Sequence, residues 1–145
     1  MFVGGTFDGL HRGHLYLLEF ARRRGEVLAR RRGGGAVHLS VVIARDASVV
    51  RIKSRAPHHT QAQRRRLVAA LRVVDTALLG VPNDFVRSVK RVDPHLIVLG
   101  YDQKGAWEGI LRAAGIAARI ERCPAYKDGA LKTSKIRADL EEMNT

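Results

Sequence analysis

GGTFDGLHRGH, residues 4–14, joins a short apolar run to a segment in which apolar residues recur every three or four positions. The apolar run at residues 1–3 predicts a buried strand. The spacing from Leu15 onward predicts a helix to about Arg24, with Gly25 as its C-cap. A strand that enters a helix through a glycine-rich turn is the first unit expected of a parallel α/β sheet.

The same alternation of strand and helix continues along the chain. Apolar, β-branched runs predict further strands at residues 36–44, 75–79, 95–99 and 116–120. Helical patterns predict helices at residues 60–71, 82–91, 106–114 and 134–143. This order predicts a Rossmann-like α/β fold, a single open, doubly wound parallel sheet with helices on both faces.

We expect one domain over residues 1–145, because this length suffices for one full core and is short for two. Two basic stretches, residues 26–35 and 51–55, are predicted to be loops, and the Arg/Gly-rich part at residues 28–36 to be a flexible insertion. In doubly wound sheets, ligands bind beyond the carboxyl ends of the strands. A site is therefore expected in the loops at residues 4–14, 45–55, 100–105 and 121–133.

Composition places the chain among soluble globular proteins, with 46% hydrophobic and 28% charged residues. No apolar run approaches the roughly eighteen residues of a membrane span, and the first residues lack a secretory signal, so we expect a cytoplasmic protein. A single cysteine, Cys123, excludes an internal disulfide and a Cys-based zinc cluster. The net charge of +12 favours anionic partners such as nucleotides, phosphates or nucleic acid. Genome composition or a hot habitat would explain that charge equally well.

The first loop has the features of a phosphate site. Gly4 and Gly5 allow a tight turn that brings backbone N–H groups close to a ligand, and the start of the following helix is electropositive. His11 and His14, three residues apart, fall on one face and can both donate to phosphate oxygens. Gly13 between them leaves room for a ligand against the helix.

Two other interpretations of this loop stay open. The histidines could be ordinary structural residues, or metal ligands, although Asp8 is the one carboxylate nearby. Thr6 and Asp8 are interpreted as residues that brace the turn. The dinucleotide-binding pattern G-x-G-x-x-G is absent, which argues against a nicotinamide enzyme.

GTFD at residues 5–8 followed by HRGH at residues 11–14 resembles the signature of the cytidylyltransferase-like nucleotidyltransferases. These enzymes transfer an NMP group from CTP or ATP to a phosphorylated acceptor. The resemblance implies that both histidines stabilise charge on the α- and β-phosphates. It also implies a set of residues against the nucleotide: Gly5, Thr6, Phe7 and Gly13.

A second family signature, S-T-S-K-I or S-T-T-K-I, is similar to KTSKI at residues 132–136, where Lys132 replaces the first serine. Thr133 and Ser134 would anchor the outer phosphates and Lys135 would add positive charge. An ordinary helix cap with an exposed lysine is the alternative.

Two further basic residues match family positions. Lys53 matches a lysine that reaches the phosphates, although a solvated charge run would look the same. Gln63-Arg64 resembles the start of a helix that carries a family arginine, which makes Arg64 a candidate for nucleotide binding.

LGYDQK at residues 99–104 most resembles the archaeal FAD synthases, a subgroup of this family. The resemblance implies that the loop contacts base and ribose, with Gly100 and Asp102 as the candidates. Asp102 could instead be an ordinary turn residue. Tyr126 could stack on an aromatic ring or simply pack at the surface.

The function implied by the resemblance is transfer of AMP from ATP to FMN, which gives FAD and pyrophosphate. Mg²⁺ or another divalent cation would be held mainly by the ATP phosphates, with no protein metal site. CTP with glycerol 3-phosphate, or ATP with phosphopantetheine, are alternative substrate pairs. A basic nucleic-acid-binding module, supported by charge alone, and an inactive nucleotide sensor remain open. Similar enzymes are frequently homodimers, and no membrane partner is expected.

Overall fold

The computed structural model describes residues 1–103 and 105–126. Within these residues, five strands form a sheet: β1 (Phe2–Gly5), β2 (Ser40–Ile43), β3 (Thr76–Leu79), β4 (Leu96–Leu99) and β5 (Arg119–Arg122). The helices of the same ranges are α1 (Arg12–Arg31), α2 (Asp46–Lys53), α3 (Gln61–Ala69), α4 (Phe85–Val92) and α5 (Trp107–Ala113).

The sheet is open, parallel and doubly wound. The strand order is β3-β2-β1-β4-β5, and every neighbouring pair is parallel. The chain builds outward from β1 to β3 and then returns to place β4 against the other side of β1. The strand order therefore reverses between β1 and β4, where such sheets bind ligands beyond the carboxyl ends of their strands. The predicted fold is confirmed.

Side-chain alternation along the strands divides the core between the two faces of the sheet. On one face Val3 of β1 packs with Leu18 of α1 and Val68 of α3. On the other face Phe2 packs with Val89 of α4 and Leu111 of α5. Because both faces are covered, β2 and β4 are buried along their whole length.

The predicted end of α1 is wrong. The helix continues to Arg31, and Gly25 lies buried inside it rather than at its C-cap. A Cβ at Gly25 would overlap Met1 Sδ, so the glycine allows close packing there. Consequently residues 28–31 of the predicted insertion are helical. Gly33, Gly34 and Gly35 beyond them are exposed with positive φ, and the flexibility of that stretch stays a prediction.

Other predicted boundaries also shift. The loop predicted at residues 45–55 is wrong over most of its length, because it contains a helix that was not predicted, α2, which ends at Lys53 and is followed by Ser54 in a left-handed conformation. The last strand is β5 rather than residues 116–120. Ile116 and Ala118 are apolar because they pack against the α4/α5 face as the chain approaches the sheet. The helix predicted at residues 134–143 lies outside the described residues.

Candidate active site

The paired histidines form the N-terminal cap of α1. His11 is the N-cap residue, and its Nδ1 accepts a hydrogen bond from the backbone N–H of Gly13 at 3.0 Å. In return, the backbone N–H of His11 donates to Nδ1 of His14 at 3.2 Å. This reciprocal pattern is a capping box in which imidazoles replace the usual hydroxyl and carboxylate. The two ring centroids are 3.9 Å apart.

These bonds determine which nitrogen of each ring carries the proton when the ring is neutral. Because each Nδ1 accepts a hydrogen bond, a neutral ring must carry its proton on Nε2. Burial, reinforced by the neighbouring His11 and Lys53 and opposed by Asp102, lowers the pKa of His14 to about 4. At neutral pH the His14 ring is therefore an uncharged Nε2–H donor at the electropositive end of a helix.

The charged groups that affect His14 belong to segments that follow different strands. His14 lies in the first turn of the helix after β1, Lys53 ends the helix after β2, and Asp102 lies in the loop after β4. Both charged side chains are near enough to shift the pKa of the imidazole. The fold therefore brings His11, His14, Lys53 and Asp102 together at the point where the strand order reverses.

A small cavity of about 110 Å³ lies beside this cluster. Lys53, Arg55 and His58 line it together with Thr6 and Asp8 of the first loop. The two permanent cations in its wall, Lys53 and Arg55, suit a phosphate group.

A larger cavity of about 830 Å³ lies at the opposite edge of the sheet. It is lined by residues just before β4 and β5 and by the C-terminal ends of three helices, including Arg31, Lys90 and Arg112. Cations at these positions complement the negative ends of the helix dipoles. This cavity is remote from the histidine pair.

Arg64 is near the site but does not face it. Its side chain is 0% exposed, and its guanidinium donates to the carbonyls of His59, Thr6 and Ala44 and to Oδ1 of Asp46 at 2.7–3.0 Å. The prediction that Arg64 binds the nucleotide is wrong for this conformation, because its side chain has no accessible surface. It holds the ends of β1 and β2 in place instead.

Asp8 braces the first loop, as predicted. Its carboxylate accepts the backbone N–H groups of His58 at 2.7 Å and His59 at 3.0 Å, and lies 3.1 Å from Nδ1 of His59. Chiefly through the His58 bond, the pKa of Asp8 falls to about 2. The ionised carboxylate thus ties the first loop to the segment before α3.

The glycines and Phe7 serve the geometry of the loop. Phe7 is 2% exposed with φ 53°, and a Cβ at Gly5 would lie 2.9 Å from its ring. A Cβ at Gly13 would lie 2.9 Å from Cε1 of His11, so Gly13 makes room for the imidazole, where we had expected room for a ligand. The buried Phe7 ring cannot contact a nucleotide, which leaves the backbone of residues 5–7 for that role.

Three predicted residues of the second signature lie outside the described residues: Thr133, Ser134 and Lys135. Tyr126 is described and half-buried, with its ring 5.7 Å from that of Tyr16 on α1. Its stacking on a ligand stays a prediction.

Sequence reasoning missed Arg122, which holds the loop that carries Asp102. Its Nη1 donates to the carbonyls of Gly100 and Gln103. The sequence offered one signal, since Arg122 is a charged residue close behind the apolar run at residues 116–120, which leads into β5, the strand beside β4. The strand was predicted to end at residue 120, so Arg122 was not assigned to it.

The described residues contain no cluster of three or more His, Cys, Asp or Glu side chains arranged to hold a metal ion. No helix within them is both long and apolar enough to cross a membrane.

A family model and several known proteins match this chain over most of its length. The family described as Cytidylyltransferase-like matches residues 2–139. A protein named FAD synthase from Methanoculleus marisnigri is 40% identical over 135 residues, which cover 91% of this chain and 82% of that protein. Another of that name, from Halalkalicoccus jeotgali, is 40% identical over 139 residues, with 91% and 89% covered.

Among solved structures, a lipopolysaccharide core biosynthesis protein from Thermoplasma volcanium matches with a TM-score of 0.73 and 33% identity. The match covers 87% of this chain and 96% of that chain. The family match extends over almost the whole sequence and includes the histidine pair that caps α1. The chain therefore belongs to the cytidylyltransferase-like family of nucleotidyltransferases.

Proposed function

We propose that this chain is an FMN adenylyltransferase, which converts ATP and FMN to FAD and pyrophosphate. The observation that carries the proposal is the convergence of His11, His14, Lys53 and Asp102 at the carboxyl ends of β1, β2 and β4. Donors and a cation gathered at a helix N-terminus suit a nucleoside triphosphate. The choice of FMN is supported by relatives named FAD synthase that align over most of the chain.

The reaction is an in-line displacement. A phosphate oxygen of FMN attacks the α-phosphorus of ATP, the new P–O bond forms, and the bond to the β-phosphate oxygen breaks to release pyrophosphate. Such a transfer requires positioning and stabilisation of negative charge rather than a covalent enzyme intermediate.

The residues divide between those two tasks. The Nε2–H groups of His11 and His14 donate to oxygens of the α- and β-phosphates, where charge builds up. Lys53 adds positive charge on the side of the leaving group. Asp102 contacts the ribose or base, and backbone groups of Gly5 and Thr6 approach the phosphates.

The second signature completes the proposed site. Thr133 and Ser134 anchor the outer phosphates and Lys135 adds a second ammonium group. These roles derive from the family resemblance.

The potential metal ligands of the first loop are already engaged, which fits a divalent cation carried by the substrate. Both histidine Nδ1 atoms already accept backbone N–H groups, and the first-loop carboxylate of Asp8 already accepts two backbone N–H groups. Mg²⁺ would therefore take its ligands mainly from ATP phosphates and water, as is usual for this ion. When bound, it supplies additional positive charge to the phosphate oxygens.

The test is product formation by the purified chain. With Mg²⁺, ATP and FMN, we expect FAD and pyrophosphate in equal amounts, measured by chromatography and a pyrophosphate assay. Parallel reactions contain CTP with glycerol 3-phosphate, and ATP with phosphopantetheine. Turnover of either of those pairs without FAD formation would replace the proposed substrates. Nucleic-acid binding without any turnover would favour a binding module, and sedimentation would test the expected homodimer.

A further inference from the structure

The loop after β4 is a tight turn closed by its own residues. The side-chain oxygen of Gln103 accepts the backbone N–H of Gly100 at 2.7 Å, and the backbone N–H of Gln103 donates to the Gly100 carbonyl at 3.2 Å. Asp102 folds back over this turn, because a Cβ at Gly100 would lie 3.1 Å from its Oδ1. The conformation of the turn therefore determines where the Asp102 carboxylate lies.

Arg122, the last residue of β5, holds this turn from outside. Its Nη1 donates to the carbonyls of Gly100 at 2.9 Å and Gln103 at 2.8 Å. Its Nε and Nη2 donate to Oε1 of Glu108, in the first turn of α5, at 3.2 and 2.9 Å. One guanidinium thus joins the end of β5, both ends of the turn and the start of α5.

We propose that Arg122 is a positioning residue for nucleotide binding: it fixes the turn at residues 100–103 and, through it, places Asp102 opposite His14 for contact with the ribose or base. The proposal rests on the proposed nucleotidyl transfer, since it concerns how the same site holds ATP. The Arg122 guanidinium is engaged by carbonyl and carboxylate acceptors, so its effect is transmitted by the backbone.

The chemistry of arginine suits this task. A guanidinium presents several N–H donors in a rigid plane and can satisfy acceptors on two sides at once, whereas a lysine ammonium is a flexible point charge. Glu108 lies in the first turn of α5, where a carboxylate is favoured by the helix dipole. Its ion pair with Arg122 keeps the guanidinium oriented toward the turn.

The test compares Arg122→Ala and Arg122→Lys with Arg119→Ala. Arg119 is the matched control because it lies on the same strand and its side chain donates to Glu121 at 2.7 Å, whereas the side chain that donates to the turn carbonyls is that of Arg122. Affinity for ATP is measured with a fluorescent ATP analogue in the absence of FMN. KM for ATP, KM for FMN and kcat are then measured well below the unfolding temperature of each variant.

We expect Arg122→Ala to weaken ATP binding and raise the KM for ATP about tenfold, which corresponds to about 1.4 kcal/mol. The KM for FMN should change far less, Arg122→Lys should recover part of the loss, and Arg119→Ala should match the parent chain. Equal changes in both KM values, or ATP affinity in Arg122→Ala equal to that of Arg119→Ala, would overturn the proposal.

ATP binding by the parent chain without FAD formation would count against FMN as acceptor while leaving the Arg122 comparison valid. If the parent chain failed to bind ATP, both proposals would be wrong.

Discussion

Replacing His14 by two different residues separates its structural role from its proposed chemical role. In the folded chain Nδ1 of His14 caps the backbone of His11, while Nε2–H is the donor proposed for phosphate. His14→Ala removes both functions. His14→Glu removes the imidazole and its N–H donor but keeps a side-chain oxygen at the N3 position, where glutamate completes a capping box. The two variants should therefore differ in stability and agree in activity.

The geometry sets the size of each effect. A lost helix cap costs about 0.5–2 kcal/mol, and the 3.2 Å bond between His11 N and His14 Nδ1 is at the long end for such bonds. We therefore expect His14→Ala to lose about 0.5–1 kcal/mol, or roughly 2–4 °C in Tm for a chain near this size, and His14→Glu to lose little. Loss of a donor to developing phosphate charge should lower kcat about 10²–10³-fold in both variants.

Two measurements check these values. Thermal unfolding followed by circular dichroism gives Tm, and FAD formation under saturating ATP and FMN gives kcat. His95→Gln is the matched control, because His95 is exposed just before β4 at the opposite edge of the sheet. It should leave both quantities unchanged, within the roughly 0.5 kcal/mol typical of surface substitutions.

Two outcomes would contradict these expectations. If His14→Glu retained the activity of the parent chain, the Nε2–H donor would not stabilise the reaction. If His14→Glu were destabilised as much as His14→Ala, the capping box would not contribute to stability.

Three further predictions concern stability. The pKa of His14 is lowered from its ordinary 6.5 to about 4, so the unfolded chain binds more protons between those values and stability falls as the pH drops through them. His14→Gln should therefore lose less Tm than the parent chain between about pH 7 and about pH 5. Gly25→Ala should destabilise by about 1 kcal/mol through overlap with the N-terminal methionine, whereas Gly109→Ala, with open space around it in α5, should stabilise by about 0.5–1 kcal/mol. Asp46→Ala should cost about 2–4 kcal/mol in urea unfolding, because it leaves the buried guanidinium of Arg64 without that carboxylate.

These stability predictions have clear contrary outcomes. An equal pH dependence of Tm in His14→Gln and the parent chain would show that His14 does not titrate as described. The two glycine variants should shift Tm in opposite directions, so a shared sign would contradict the packing argument. A near-neutral Asp46→Ala would show that the neighbouring carbonyls alone satisfy Arg64.

The sequence predicted the sheet because its signals are local. The apolar runs of β2 and β4 and the turn–helix junction after β1 depend on residues close in the chain, and their type and order are confirmed. Element ends were less predictable. Glycine is common at helix C-termini, but Gly25 lies against Met1, a residue distant in sequence. Only the fold can show that a glycine is needed there for space.

The same limit explains the outcome at Arg64. Its helix position matched a family pattern, and a basic residue beside a phosphate site suggests contact with the ligand. The structure instead buries the side chain completely. Burial of a guanidinium is favourable only when acceptors surround it, and those acceptors lie in loops up to 58 residues away along the chain. No local pattern in the sequence indicates them.

Arginines at the ligand-binding edge share one structural task. The first residue after each of β1, β2, β3 and β4 has a carbonyl that accepts a hydrogen bond from an arginine side chain. Arg64 serves β1 and β2, Arg45 serves β3 and Arg122 serves β4. The four acceptors are Thr6, Ala44, Gly80 and Gly100. These carbonyls lie just past the ends of the strands, where an unpaired polar group would be costly if buried.

Arginine and lysine side chains therefore have different roles at this edge of the sheet. The rigid arginine fork suits carbonyl groups whose positions are fixed by the sheet. The exposed cation that affects His14 is instead Lys53, at the end of α2, and a flexible ammonium can follow phosphates that move during a displacement. The number of basic residues at this edge is therefore larger than the number available to bind phosphate. Much of this positive charge holds the loops in place, which keeps the histidine pair in a fixed geometry at the proposed nucleotide site.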